Sequence, residues 1–246
     1  MLNKFYIKII SIIIELIDHS NKKKIINFFK KFFINDEIVV IDIGAHKGET
    51  INLFIKNFNI NKIYAFEPNI KLFNSLIKKK KYHDKKIFFF NYGVGMKEEE
   101  RELNILIDSA SSTFNTINLD SDYYKRKNKI VTLLSEKKEL FENKQQISIV
   151  SLSKKILENQ INKIDILKID TEGFELNVLK GIENYDFKKI RFIYFEHHYD
   201  LMINKGYNFS DINELLIKNK FQQKYKLRMK FRKSFEYIYE NTNKKI

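Results

Sequence analysis

Two short segments carry the residues best able to do chemistry: LKIDTEGFE, with Asp170, Glu172 and Glu175, and IYFEHH, with Glu196, His197 and His198. Each grows out of an apolar run of the kind that forms a buried strand. In a parallel α/β sheet, ligands bind outside the carboxyl ends of the strands, so adjacent strands would bring Asp170 and Glu172 beside Glu196 and the histidines. Two carboxylates held close repel unless a proton or a cation lies between them. Two arrangements follow. In one, Asp170 and Glu196 ligate a divalent cation that acidifies a bound hydroxyl, and an oxygen-rich set without cysteine favours Mg²⁺ or Mn²⁺ over zinc. In the other, the acids share a proton and His197 or His198 accepts the proton of the reacting hydroxyl. Successive residues of a strand face opposite sides, so at most one of the two histidines lines the pocket. The candidate catalytic set is Asp170, Glu172, Glu196 and His197, with His198 as the alternative imidazole. Glu175 fits equally well as an acid that stabilises the first turn of the following helix.

The ligand side of such a site is marked by the glycine turn VVIDIGAHKGET. A P-loop has four residues between its glycines, then Lys and Ser/Thr. Here three residues separate Gly44 from Gly48, and Glu49 and Thr50 follow. A dinucleotide turn has glycine at its first, third and sixth positions, and counting from Gly44 the last two are His46 and Glu49. What remains is an acid-x-Gly-x-x-x-Gly turn, formed by Asp42, Gly44 and Gly48, between a strand and a helix. Glycine lets the backbone approach a ligand closely, and the helix N-terminus favours a carboxylate. In YAFEP, 25 residues after Asp42, Glu67 ends the second strand, where an acid can accept hydrogen bonds from both ribose hydroxyls. A nucleoside with a carboxylate and no pyrophosphate fits both features, and S-adenosylmethionine is such a ligand.

The segments VVIDIGAHKGET, YAFEPN, SASST, IDILKIDTEGFELNVLKG and IYFEHH, in that order, resemble the FkbM-type methyltransferases over roughly residues 37–200. LKIDTEGFE is the most specific block. The resemblance implies a class I methyltransferase (Rossmann-like) fold and S-adenosylmethionine-dependent O-methylation, often of sugar hydroxyls. Carried onto the matching positions, it implies cofactor contacts at Asp42, Gly44, Ala45, His46, Gly48, Glu67 and Pro68. The family commonly has Leu-Asp where this chain has Leu152-Ser153. Catechol-type O-methyltransferases are similar in placing metal-binding acids at the two strand ends that here carry Asp170 and Glu196.

Strand and helix patterns alternate after Asn35: EIVVIDI, KGETINLFIKNF, NKIYAFE, NIKLFNSLIKKKK, KKIFFFNY, then KIDILKID, ELNVLKGIE and IRFIYFEHH. Such alternation predicts an α/β domain over 35–246 with a mostly parallel sheet and helices on both faces. Residues 93–163 interrupt the rhythm. ERELNILI and QISIVSLS read as a β-hairpin extension, and the polar stretch between them reads as a loop over the active face, in which Ser111 and Ser112 could touch an acceptor. FQQKYKLRMKF and SFEYIYEN predict an antiparallel pair at one sheet edge.

Residues 1–34 read as two amphipathic helices, the second, SNKKKIINFFKKFFIN, capped by Ser20 or Asn21. The first is too short and too interrupted to span a bilayer, and no small-residue cleavage site follows it. Either both helices pack on the domain or they lie on an anionic membrane face, so the expected location is cytoplasmic, peripheral at a membrane in the second case. The net charge of +14 is compatible with an anionic partner or with the Lys- and Asn-rich composition alone. The absence of cysteine excludes disulfides, thiolate metal sites and cysteine nucleophiles. The functional expectation is methylation of a glycan or glycolipid hydroxyl. The alternatives are a methyltransferase-like binding module without turnover and, ranked below it, a nucleic-acid methyltransferase, for which the Asn-Pro-Pro-Tyr type of motif is missing.

Overall fold

Buried strand runs and amphipathic helices combine into a single seven-stranded sheet covered on both faces. The structure is a computed structural model and describes residues 20–83, 86–107, 111–134, 140–229 and 233–243. The sheet contains β1 (Glu37–Ile43), β2 (Asn59–Phe66), β3 (Ile87–Phe90), β8 (Ile164–Ile169), β9 (Ile190–His198), β11 (Phe221–Arg228) and β12 (Ser234–Asn241), in the order β11-β12-β9-β8-β1-β2-β3. β3, β2, β1, β8 and β9 are parallel. β12 runs antiparallel to β9, and β11 antiparallel to β12, so the expected edge pair is present. The chain builds outward from β1 to β3, then returns to lay β8 on the other side of β1. A crevice must open where the strand order reverses, above β1 and β8.

One face is covered by α1 (20–30), α2 (Glu49–Asn57) and α3 (Ile70–Ile77). Ile25, Ile26 and Phe29 of α1, with Phe33 just beyond it, join Ile51 and Phe54 of α2 against Ile38, Val40, Ile63, Ile166 and Phe192 of the sheet. The other face is covered by α5 (Leu152–Glu158), α6 (Glu175–Lys180) and α8 (Phe209–Lys218), packed on Ile41, Ile43, Leu167, Ile169, Ile193 and Phe195. α3 is capped by Asn69, whose side chain accepts the Lys71 and Leu72 N–H groups, and α8 starts with a capping box from Asn208 and Asp211. Such caps satisfy donors that the helix leaves unpaired at its start. Ser20 and Asn21 cap nothing, because both are already helical, and Asn21 is buried with its amide nitrogen 3.6 Å from Met229 Sδ. α1 packs on the domain. The first of the two expected helices lies outside the described residues, and among the described residues no helix is long and apolar enough to cross a membrane.

The interruption after β3 is more ordered than its sequence implies. β5 (Glu99–Leu106) and β7 (Phe141–Ser151) pair antiparallel, but β4 (Gly93–Gly95) adds a parallel strand on the other side of β7, giving a three-stranded sheet. The polar stretch between them contains β6 (Thr116–Ile117), paired with β10 (Ile203–Asn204), and the 13-residue α4 (Asp122–Leu134). The expected loop is therefore partly helix. Its anchor is Tyr124, which is buried with Leu106, Leu140, Met202 and Ile203, a contact made by distant residues and invisible in local polarity. α7 (Asn184–Phe187) completes the elements.

Phe29 is fully buried and its ring lies within about 6 Å of Phe33, Phe54, Phe192 and Tyr194. Phe29→Ala should therefore cost about 3–5 kcal/mol of unfolding free energy, as expected for emptying an aromatic core site. Urea denaturation would measure it, and a cost below about 1 kcal/mol would mean that α1 does not belong to the core.

Candidate active site

The glycine turn is shaped by close contact with β8. A Cβ on Gly44 (φ +86°) would lie 1.9 Å from the Asp170 carbonyl oxygen, so neither the conformation nor the space admits another residue. The Gly44 and Ala45 N–H groups both donate to the Phe66 carbonyl, and His46 adopts φ +48°. Gly48, at φ +82°, is the N-cap of α2, and its carbonyl accepts from the Tyr82 hydroxyl. Glu67 closes the turn: one carboxylate oxygen accepts the His46 N–H at 2.7 Å and the other the Asn69 N–H at 2.9 Å. Asn91, after β3, donates to the Glu67 and Pro68 carbonyls and fixes the second turn. Burial pushes the Glu67 carboxyl up to about 7 against the pull of those two N–H donors. A carboxylate has about four acceptor positions, so two remain for the hydroxyls of a ribose.

A cavity of about 290 Å³ runs from this turn to the ends of β8 and β9. Gly44, Ala45, His46, Glu67 and Pro68 line one end, and Asp170, Glu172 and Glu196 the other. Tyr92, Ser112 and Phe114 from the segment after β3 cover it. Apart from His197, the sequence-predicted residues at both ends thus share one space, with two exceptions on the cofactor side. Gly48 shapes the turn without reaching the wall. Asp42 sits beneath it, facing α1, where neither of its oxygens has a hydrogen-bond partner among the described residues. Burial pushes Asp42 up to about 7, with Lys168 acting in the opposite direction.

Lys168 is the residue that sequence reasoning missed. It lies beside Asp42 in the β1–β8 register, is buried, and donates to Asp170 Oδ2 at 3.0 Å. Its ammonium lies 4.7 Å from the centre of the Tyr194 ring. Burial opposes its charge, yet Asp170, Glu236 and Glu196 together hold it above the ordinary lysine value. The positive charge expected between Asp170 and Glu196 is thus supplied, at least in part, by this lysine. Among the described residues no group of three or more histidines and acids is arranged to hold a metal ion. A lysine inside the strand run ILKI, flanked by apolar residues on both sides, was the available signal, since lysine is rarely buried without a partner.

The histidines separate as strand alternation requires, but opposite to the primary choice. His197 points to the α8 face, among Tyr199, Tyr207 and Phe209. Burial, then the nearby Lys205 charge, lower its pKa to about 3, and it lies away from the cavity. His198 faces the cavity side but lies behind its wall, against the acids that line it: its Nε2 lies 3.4 Å from Glu172 and 3.6 Å from Glu196, and its Nδ1 3.4 Å from Asp200. Burial lowers its pKa, but Glu172, Glu196 and Asp200 outweigh this and raise it to about 10. An imidazolium at neutral pH cannot accept a proton. Glu172 can, because burial lifts its carboxyl to about 7, with His198 pulling it back. Glu172 has φ +48°, and its turn is braced by the Thr113 hydroxyl donating to the Glu172 carbonyl and the Asn115 amide donating to that of Gly173. Thr113 of the SASST segment and Asn115 just after it therefore hold the turn that carries Glu172, and among the described residues of that segment Ser112 alone lines the cavity. Glu175 proves structural, accepting from Gly173 N–H, Thr171 and Tyr207. Ser153 is structural as well: its hydroxyl accepts the Glu183 N–H at 2.7 Å, away from the cavity.

A family model described as Methyltransferase FkbM domain matches residues 42–227. Among solved structures, the chain is similar to the methyltransferase FkbM of Methylobacillus flagellatus KT, at 16% identity and a TM-score of 0.50, over 82% of this chain and 44% of that one. This chain thus spans less than half the length of that protein. It is also similar to the SAH-bound magnesium protoporphyrin IX methyltransferase (ChlM) of Synechocystis PCC 6803, at 10% identity and a TM-score of 0.50, over 93% and 85% of the two chains. At these identities the likeness establishes the fold, a class I methyltransferase arrangement. Comparison with curated proteins finds no match.

Asp42, Glu67, Glu172 and Glu236 all have folded pKa values raised to about 7, so the folded state keeps protons that the unfolded chain releases near pH 4. By linkage, stability is greatest below about pH 4 from these groups and falls as pH rises to about 7. His198, raised to about 10, contributes stability below about pH 6.5 that is lost as pH rises towards 10. The melting temperature of the ligand-free protein should therefore fall steadily from pH 5 to pH 9. Calorimetry showing a flat or rising profile would contradict this placement of the charges.

Proposed function

We propose that this chain, which belongs to the FkbM methyltransferase family, is an S-adenosylmethionine-dependent O-methyltransferase acting on a sugar hydroxyl of a glycan or glycolipid. The observation that carries this reading is the single cavity joining the Gly44–Glu67 turn to Glu172. The residues present suit the donor: Glu67 keeps acceptor positions for two ribose hydroxyls, and the side-chain-free Gly44 sits on the cavity wall directly after β1. When bound, the donor supplies an electrophilic methyl group on a sulfonium. Glu172 takes the proton of the acceptor hydroxyl as the new O–C bond forms and the sulfonium S–C bond to the methyl breaks, the electron pair staying on sulfur as a neutral thioether. A base with a pKa near the working pH is the efficient choice. His198, held by Asp200, balances the charge of Glu172 and Glu196. Phe114, packed on Leu103, Ile105, Ile147 and Ile149 of the three-stranded sheet, excludes water, and Tyr92, Ser112 and Thr171 put on the cavity wall the mix of aromatic and hydroxyl groups that suits a sugar. The exposed Lys23, Lys24, Lys30 and Lys31 of α1 and the turn after it support a peripheral contact with an anionic membrane on the cytoplasmic side, where a glycolipid would be within reach.

Glu67→Ala should weaken S-adenosylmethionine binding by about 1.5–3 kcal/mol, the scale of hydrogen bonds to a charged group. Unchanged affinity by calorimetry in a folded variant would remove Glu67 from the site. With radiolabelled donor and separated cell glycans, lipids and RNA, wild type should label the glycan or glycolipid fraction. Glu172→Gln should lower that transfer at least about a hundredfold while keeping donor affinity. Label confined to RNA would replace the acceptor class, and near wild-type transfer by Glu172→Gln would remove it as the base.

A further inference from the structure

Glu196 and Glu236 face each other across the β9–β12 pairing, on the same side of the sheet as Lys168. Both line the cavity, and they are 5% and 6% exposed. Glu236 Oε1 accepts the Tyr194 hydroxyl at 2.5 Å, whereas Glu236 Oε2 and Glu196 Oε1 make no hydrogen bond among the described residues. Buried carboxylate oxygens without donors are costly and uncommon. Lys168 cannot serve them all, since it is hydrogen-bonded to Asp170 and shares its charge among Asp42, Asp170, Glu196 and Glu236. The groups facing Glu236 are Lys168 and Asp170 from β8 and Tyr194 and Glu196 from β9, while Lys22 of α1 lies on the same cavity wall. This acidic end belongs to a chain with a net charge of +14, so it runs against the overall balance.

We infer that Glu236 and Glu196 together form a seat for a primary ammonium group, on the side of the cavity walled by α1 and by Met229 at the end of β11. An ammonium brings the close, multiple donors that these oxygens lack, since the charged His198 reaches Glu196 Oε1 only at 3.6 Å, beyond hydrogen-bond distance, and is not among the groups facing Glu236. The inference rests on the methyltransferase reading, because that reading supplies two possible carriers: the α-ammonium of the donor's methionine moiety, or the amine of an amino-sugar acceptor. Burial raises the Glu236 carboxyl to about 7, with Lys168 opposing, so seating an ammonium there should expel a proton near neutral pH.

Titration calorimetry of wild type and Glu236→Gln with four probes separates the carriers: S-adenosylhomocysteine, 5′-methylthioadenosine, which has the ribose but no ammonium, and then glucosamine and glucose on protein saturated with S-adenosylhomocysteine. If the donor is the carrier, Glu236→Gln loses at least about tenfold in S-adenosylhomocysteine affinity and keeps its affinity for 5′-methylthioadenosine. If the acceptor is the carrier, both nucleosides bind as in wild type and the preference for glucosamine over glucose disappears. A variant that binds all four probes as wild type does overturns the ammonium seat and leaves the methyltransferase reading intact. Wild type that binds neither nucleoside overturns both. Should Glu236→Gln fail to fold, wild type alone decides at pH 6.5: S-adenosylhomocysteine should release more protons than 5′-methylthioadenosine, or glucosamine more than glucose. Equal proton release within both pairs overturns the inference.

Discussion

The backbone apposition of Gly44 and Asp170 is the constraint on which the site depends. The Asp170 N–H donates to the Ile43 carbonyl at 2.9 Å, extending the β1–β8 ladder by one bond, and immediately beyond it the Asp170 carbonyl lies where a Cβ of residue 44 would be. Two turns from opposite halves of the sheet are thereby brought into contact at the point where strand order reverses. A cavity that ends on Glu67 at one side and on Glu172 at the other exists because those turns cannot separate. Any side chain at position 44 would open the crevice or displace the turn that carries Asp170 and Glu172.

Charge is the second organising constraint, and it is met by a lysine and a histidine that belong to the strands themselves. Lys168 and His198 lie on the same side of β8 and β9 as Asp170, Glu196 and, across the sheet, Glu236. The two cations serve different acids. Lys168 is tied to Asp170, whereas His198 stands between Glu172 and Glu196 and is fixed from behind by Asp200. An unpartnered buried ion costs several kcal/mol, so removing either cation would be felt by every acid around it. The same arrangement explains why Glu172 keeps an affinity for protons near pH 7 while its neighbouring imidazole stays charged: burial raises both groups' cost of ionisation, but only the histidine is surrounded by opposite charge.

The extension after β3 links fold to site in a less obvious way. Its strands carry few residues that touch the cavity, yet Thr113 and Asn115 hold the carbonyls of Glu172 and Gly173. The left-handed conformation of Glu172 (φ +48°) is uncommon for a residue with a side chain, and these two hydrogen bonds are what hold it there. The segment therefore acts on the turn that carries Glu172 as a brace, in addition to covering the cavity through Phe114.

By itself the sequence determined the alternating strands and helices of the parallel part of the sheet, the antiparallel closing pair, the turn formed by Gly44 and Gly48, and the strand-end positions of Glu67, Asp170, Glu172 and Glu196. Each of these follows from local periodicity or from residue types within a few positions of one another. Alternation also required His197 and His198 to face opposite sides, but which side faces the cavity depends on which sheet face α1 and α2 cover, and no local pattern states that. The same ignorance of faces hid Lys168, Tyr194 and Glu236 as members of one cluster, because they meet only once β8, β9 and β12 are in register. Helix α4 was concealed for a related reason: its burial is provided by Leu106, Leu140 and Met202, far away in the chain. Local spacing fixes what a segment can form, whereas the partners of a buried charge and the face a strand presents are properties of the assembled sheet, and those only the tertiary structure decided.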